Sequence, residues 1–172
     1  MADDRVAEPL EFDAWVTARS PALLRFAYLM TGSREAAEDA VQTALAKAFE
    51  QWTRVRDMHD LDAYVRRMIV NAHISWWRQV TRRESSVAAV YGTTPFEDDP
   101  GVTVPRVEAV WRLCRSLPTQ QRASVVLRFY EDLTYPEIAE LLHCSEATVR
   151  SHVHWAVERG FTDTRSAGAF DE

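Results

Sequence analysis

The 172 residues predict an all-α protein, two small helical domains joined by a linker. Three observations carry this. Apolar residues recur at helical spacing through most of the chain. No run shows apolar/polar alternation bounded by hairpin turns. Residues 84–105, ESSVAAVYGTTPFEDDPGVTVP, hold Pro95, Pro100, Pro105, Gly92 and Gly101 and have no helical period, as a linker would. The rival, one domain with a long surface loop, needs a structureless loop of a length that compact domains rarely contain.

In the first half, Phe12 to Met30 is one apolar-rich helical stretch, with a break or bend expected at Pro21. Thr31-Gly32-Ser33 stops it, and Ser33 is an N-cap for a second helix. There Ala37, Val41, Ala44, Leu45, Ala48 and Trp52 fall within an arc of about 100°. A polar loop is expected from Thr53 to Asp60, then a long third helix from Leu61 to Arg83. Past the linker, Val107, Val110, Trp111, Cys114 and Leu117 are spaced as a helix, which Leu117-Pro118 ends. Gln120 to Tyr130 forms the next helix. Thr134-Tyr135-Pro136-Glu137 has capping-box spacing and opens a short helix ending near His143. Ser145 caps a final helix expected to end at Gly160.

Composition narrows the function classes. A chain 47% hydrophobic and 27% charged can bury a core and is not a disordered composition. No stretch approaches 18 consecutive apolar residues, so no membrane span is predicted. The acidic start MADDRVAEPLEFD lacks a signal-peptide core, and Cys114 and Cys144 make no disulfide framework. A reduced, cytoplasmic protein is the expectation. There is no Gly-rich phosphate loop, nucleophile elbow or HExxH, so no catalytic residue, metal site or cofactor is assigned. His152 and His154, two apart on a helix, diverge by about 200° and do not converge on a metal. Glu38 and Asp39 diverge by about 100°, which disfavours a paired-carboxylate acid/base site.

The net charge of −6 is unevenly distributed. Residues 1–83 carry 12 basic and 12 acidic side chains, and residues 84–105 carry 4 acidic and no basic. The window 63–83, AYVRRMIVNAHISWWRQVTRR, has five arginines and no acid. Local charge, not the total, decides where a polyanion can sit. In that helix Val65, Met68, Ile69, Ala72, Trp76 and Val80 form one face. Arg67, Asn71, Arg78 and Arg82 lie opposite, with Tyr64 and Trp77 at the flanks. Arginines there suit phosphates, Asn71 a base edge, and the aromatics an unpaired base; a plain solvated face is the competing reading.

The last two helices have helix-turn-helix dimensions. Ala139 permits their close approach, and Ile138, Leu142, Val149 and Val153 are the shared contact. Ala147, Thr148, Ser151, His154 and Trp155 are left on the outer arc, flanked by Arg150 and His152. That arrangement suits a major groove and its phosphates; an ordinary αα-hairpin is the competing reading. On the second helix, Asp39, Gln42, Thr43, Ala46 and Glu50 lie opposite the apolar stripe, a protein-docking face or plain solvent.

Three stretches carry a family resemblance: LLRFAYLMTGSREAAEDAVQTALAKAFEQW, AYVRRMIVNAHISWWR and LPTQQRASVVLRFYEDLTYPEIAELLHCSEATVRSHV. In this order the chain resembles the bacterial extracytoplasmic-function sigma factors of RNA polymerase, closest to the SigE-like subgroup, over about residues 10–160. The resemblance implies a non-enzymatic subunit that confers promoter specificity on core polymerase. It implies a first domain, 10–83, that docks on the polymerase clamp through Asp39, Val41 and Gln42. The same domain would open the −10 element with a base-holding loop at about Thr53 to Asp60. Candidate −10 contacts are Arg54, Arg56, Arg67, Asn71, Arg78 and Arg82. It implies a second domain, 106–160, that docks on the polymerase flap. Candidate −35 contacts in its final helix are Ala147, Thr148, Arg150, Ser151, His152 and Trp155. Core polymerase and promoter DNA are the implied partners, and the family leaves room for an anti-sigma factor. Thr43, Ser75, His152 and Trp155 depart from residues common in the family, the last two where Arg is often found. A stand-alone helix-turn-helix regulator that binds its operator as a dimer is the alternative.

Overall fold

The structure is a computed structural model. It describes residues 4–83, 114 and 116–167, and the side chains of 11–79, 114 and 116–160. The described residues form helices and no strands, and the chain divides into two compact units, Met1–Gln79 and Val80–Glu172. The expected linker 84–105 and the helix expected over 107–113 lie outside the described residues.

The first unit contains α1 (Asp4–Thr31), α2 (Arg34–Glu50), α3 (Trp52–Val55) and, as far as Gln79, α4 (Leu61–Arg83). α1 runs unbroken through Pro21, against the expected break. The proline removes one backbone donor, but the adjoining turns are reinforced by side chains. Thr17 Oγ1 donates to the Asp13 carbonyl at 2.8 Å, and Ser20 Oγ to the Val16 carbonyl at 2.7 Å. Its C-terminal end is buried all round: Phe26, Ala27, Tyr28, Leu29 and Met30 are consecutive and buried. Gly32, at φ 74°, ends the helix in a left-handed turn that a side chain would disfavour. Ser33 caps α2, its hydroxyl accepting from the Ala36 N–H at 3.4 Å. The buried face of α2 is mostly alanine (Ala37, Ala40, Ala44, Ala48), so α1 can pack close against it. The loop expected from Thr53 is helical as far as Val55, because Trp52 and Val55 are buried together and draw that turn into the core. Asp60 caps α4, its Oδ1 accepting from the Ala63 N–H at 2.9 Å.

The second unit contains α5 (Thr119–Phe129), α6 (Tyr135–Leu142) and α7 (Glu146–Ala167). The capping box at α6 is complete. Thr134 Oγ1 accepts from the Glu137 N–H, and Glu137 Oε2 accepts from the Thr134 N–H at 2.8 Å. α6 ends with His143 at φ 52°, and the Cys144 N–H reaches back to the Ala139 carbonyl at 3.1 Å. This is a Schellman-type end built on histidine where glycine is usual. Ser145 then opens α7 by accepting from the Thr148 N–H at 3.1 Å. α7 does not stop at Gly160 but continues to Ala167. A glycine inside a helix costs about 1 kcal/mol relative to alanine and ends it only where a left-handed residue is adopted. Ile138, Ala139, Leu142, Val149 and Val153 are buried, as the spacing predicts, and Ala156 on α7 is buried with them.

Candidate nucleic-acid interface

In the first unit two surfaces stand out. Asp39 and Gln42 are exposed on the polar side of α2, with Thr43, Ala46 and Glu50. Val41 is not on that surface: it is 7% exposed and part of the core, as its place on the apolar stripe requires. Glu38 is held by Arg34, whose Nε donates to Glu38 Oε1 at 2.8 Å.

The second surface runs from α3 along α4. Arg54 donates to Gln51 Oε1 at 2.9 Å. Arg56, half-buried, pairs with Glu11 at 3.2 Å and lies 3.9 Å from Asp57. On α4, Arg67 and Asn71 are exposed and Arg78 is half-buried; the Arg82 side chain lies outside the described residues. Tyr64 and Trp77 are half-buried, and Tyr64 Oη donates to Gln51 Oε1 at 3.2 Å. The expected apolar face of α4 holds for Val65 and Ile69 but not for Trp76, which is 51% exposed. Trp76 stacks on His73, with centroids 6.4 Å apart and planes 18° apart. The buried set is Leu61, Val65, Ile69, Val70, His73 and Ile74. Trp76 shares the angular position of Val65 and Ile69 but sits about 10 Å further along the axis than Ile69, beyond the packed part of the unit.

In the second unit α6, the turn 143–145 and α7 make the helix-turn-helix. Ala147, Ser151, His154 and Trp155 are exposed on α7, and Thr148 is half-buried with its Oγ1 2.8 Å from Ser145 Oγ. Arg150 is tied to Glu146, four residues earlier, and its guanidinium lies over the Tyr135 ring, Cζ 4.9 Å from the centroid. Arg128 reaches the same ring from α5 at 5.2 Å and donates to the Leu133 carbonyl at 3.0 Å.

Two models of known families match the chain. Sigma-70 region 2 matches residues 15–83, and Sigma-70 region 4 matches residues 108–159. The RNA polymerase sigma-E factor of Streptomyces coelicolor is 33% identical over 154 residues, 90% of this chain and 86% of that protein. The ECF RNA polymerase sigma factor SigM of Mycobacterium tuberculosis is 30% identical over 156 residues, 88% and 74% of the two chains. The chain belongs to the extracytoplasmic-function (ECF) RNA polymerase sigma factors. A solved structure of the sigma factor RpoE from Bartonella quintana, in complex with the anti-sigma factor NepR, shares the fold. Its TM-score is 0.61 at 21% identity, over 94% of this chain and 99% of that one. The relatives named here are sigma factors, and none supports the stand-alone regulator.

Within this sigma factor, the region 2 match takes in the basic helix α4 and the region 4 match takes in the helix-turn-helix. One residue expected at the DNA is turned inward. His152 is half-buried, with Nδ1 3.2 Å from Ser124 Oγ on α5. Ser124 donates its own proton to the Gln120 carbonyl at 2.9 Å, so the pairing suits a neutral imidazole carrying the proton on Nδ1. Burial lowers the His152 pKa below the ordinary histidine value. Its ring contributes to packing, because its position on α7 lies toward the buried stripe of Val149, Val153 and Ala156.

Arg122 escaped the sequence reading altogether. It is fully buried, and its guanidinium donates to the carbonyls of Cys114, at 2.9 Å, and Leu117, at 3.1 Å. Those carbonyls lie where the chain turns into Pro118, so Arg122 ties the entry of α5 to the segment before it. Burial lowers its pKa, with the neighbouring Cys114 opposing. Burial pushes the Cys114 thiol up to about 11, with Arg122 opposing, so Cys114 is an unreactive core residue. The one available signal was a cation in helical register with the apolar Val125 and Val126, three and four residues on, at a position that faces inward.

Proposed function

We propose that this sigma factor divides its work between the two domains, 10–83 and 106–160. The exposed pair Asp39 and Gln42 on α2 docks on core polymerase. The basic face of α4, with Arg67, Asn71, Arg78 and Arg82, and the arginines Arg54 and Arg56 beside it engage the −10 region. Arg67 and Asn71 capture it as it opens. α7 reads the −35 element through Ala147, Thr148, Ser151 and Trp155, with Arg150 on a phosphate. The protein carries out no reaction of its own: polymerase supplies the chemistry and the sigma subunit the address. It works in the cytoplasm, where polymerase and promoter DNA are. Among the described residues no helix is long and apolar enough to cross a membrane. An anti-sigma factor is a natural regulator, as the RpoE structure contains one bound to a chain of this fold.

The observation that carries this reading is the pairing of a basic helix, with five arginines and no acid over 63–83, in the region 2 match with an exposed helix-turn-helix in the region 4 match. The test is initiation from a defined promoter by purified core polymerase with and without the protein. Initiation dependent on both protein and promoter supports the reading, and its absence with active core enzyme overturns it.

A further inference from the structure

The exposed ridge of α7 is short of the groups that usually read guanine. Ala147, Ser151 and Trp155 follow one another at four-residue spacing, and all three are exposed. Eight residues span about 12 Å along a helix, close to the width of a major groove. Two members of the ridge are small and allow close approach. The third, Trp155, is 58% exposed and is the largest exposed apolar side chain among the described residues of the helix, its ring edge-on to His154 at 6.0 Å. The core stripe of Val149, Val153 and Ala156 does not use it. Arg150, the cation beside the ridge, is exposed but held at its flank: Glu146 pairs with it and Tyr135 lies under its guanidinium. Arg159 continues the ridge one turn further, about 6 Å past Trp155, and is exposed.

Base edges in the major groove offer one apolar feature, the C5-methyl of thymine. The indole N–H is a donor that either purine N7 can meet, so it does not discriminate. We infer that Trp155 reads a thymine in the −35 element through its methyl group, where an arginine at this position would read a guanine. This rests on the proposed role of α7.

The test uses holoenzyme reconstituted from the full chain and core polymerase. Selection from random duplexes supplies the best-bound duplex, and each thymine of its −35 half is then replaced singly by deoxyuridine, which removes only the methyl. One replacement should weaken binding by the wild-type holoenzyme about threefold to fivefold, the value of one buried methyl. The same replacement should leave the Trp155→Ala holoenzyme unaffected. Repeating the selection with Trp155→Arg should exchange that thymine for guanine. No uracil-sensitive position, or equal sensitivity in Trp155→Ala, overturns the inference. Loss of core binding by a folded Trp155→Ala chain also overturns it, in favour of a protein partner for the indole. A wild-type selection that returns no preferred bases upstream of the −10 region refutes the broader role of α7 instead.

Discussion

The guanidinium of Arg150 lies over the ring of Tyr135, its Cζ 4.9 Å from the ring centroid, so the residue flanking the exposed ridge of α7 is braced by α6. A cation held on an aromatic face loses less freedom on meeting a phosphate than a loose one. Arg150→Ala should weaken closed-complex formation and lower its salt slope by about one unit, as expected for one phosphate. The defect should vanish on a template lacking the −35 element. Tyr135→Ala, which keeps the charge but removes the brace, should weaken binding with the salt slope unchanged. Filter binding across a salt series separates the two.

On the opposite domain the defect should take another form. Asn71 is exposed on α4 near Arg67. Asn71→Ala should impair strand opening more than closed-complex formation, by about 1–3 kcal/mol for a lost base contact. Permanganate reactivity of the −10 thymines should fall while filter binding is nearly kept. Identical profiles for Asn71→Ala and Arg150→Ala would refute the division of labour.

Asp39 and Gln42 are exposed on α2, whereas Val41 between them is buried. Asp39→Arg with Gln42→Ala should therefore weaken core-polymerase binding by roughly 2 kcal/mol or more, with unchanged thermal unfolding. Val41→Ala should do the reverse, lowering the melting temperature with less effect on binding by the folded fraction. Co-purification with core polymerase, set beside melting curves, reads both.

Arg122→Ala should destabilise the second domain by about 3 kcal/mol or more. It leaves the Cys114 and Leu117 carbonyls without their donor and opens a cavity. Arg122→Lys should recover little, since a single ammonium cannot reproduce the fork. Urea unfolding of the full chain, followed by a probe in the second domain, measures both.

The His152 pKa is lowered by burial, so the folded state takes up a proton less readily than the unfolded chain. In the window below about 6.5, the unfolded value, the unfolded state binds more protons and stability falls as pH falls. The second domain should thus melt lower at pH 5.5 than at pH 7.5. His152→Asn, which keeps a polar partner for Ser124 without titrating, should flatten that dependence; an unchanged dependence would assign it to other groups.

Local chemistry made most of the fold legible. Ser33, Thr134 with Glu137, and Ser145 act over three residues, so the caps they predict form wherever the chain folds. The apolar stripes of α2, α6 and α7 likewise follow from helical geometry, as does the exposed pair Asp39 and Gln42. Punctuation residues were less decisive. Pro21 and Gly160 weaken a helix by amounts that packing and neighbouring hydroxyls offset, so both helices run through them. What periodicity could not decide is which part of a helix has a neighbour. Trp76 shares the azimuth of Val65 and Ile69 yet lies beyond the packed region, and so is half exposed. His152 sits at the edge of the exposed arc, and only the presence of Ser124 on α5 turns it inward. Arg122 is buried because two main-chain carbonyls from a preceding turn need a donor there. Those partners come from distant or irregular segments, and a one-dimensional pattern carries no record of where such segments are brought together.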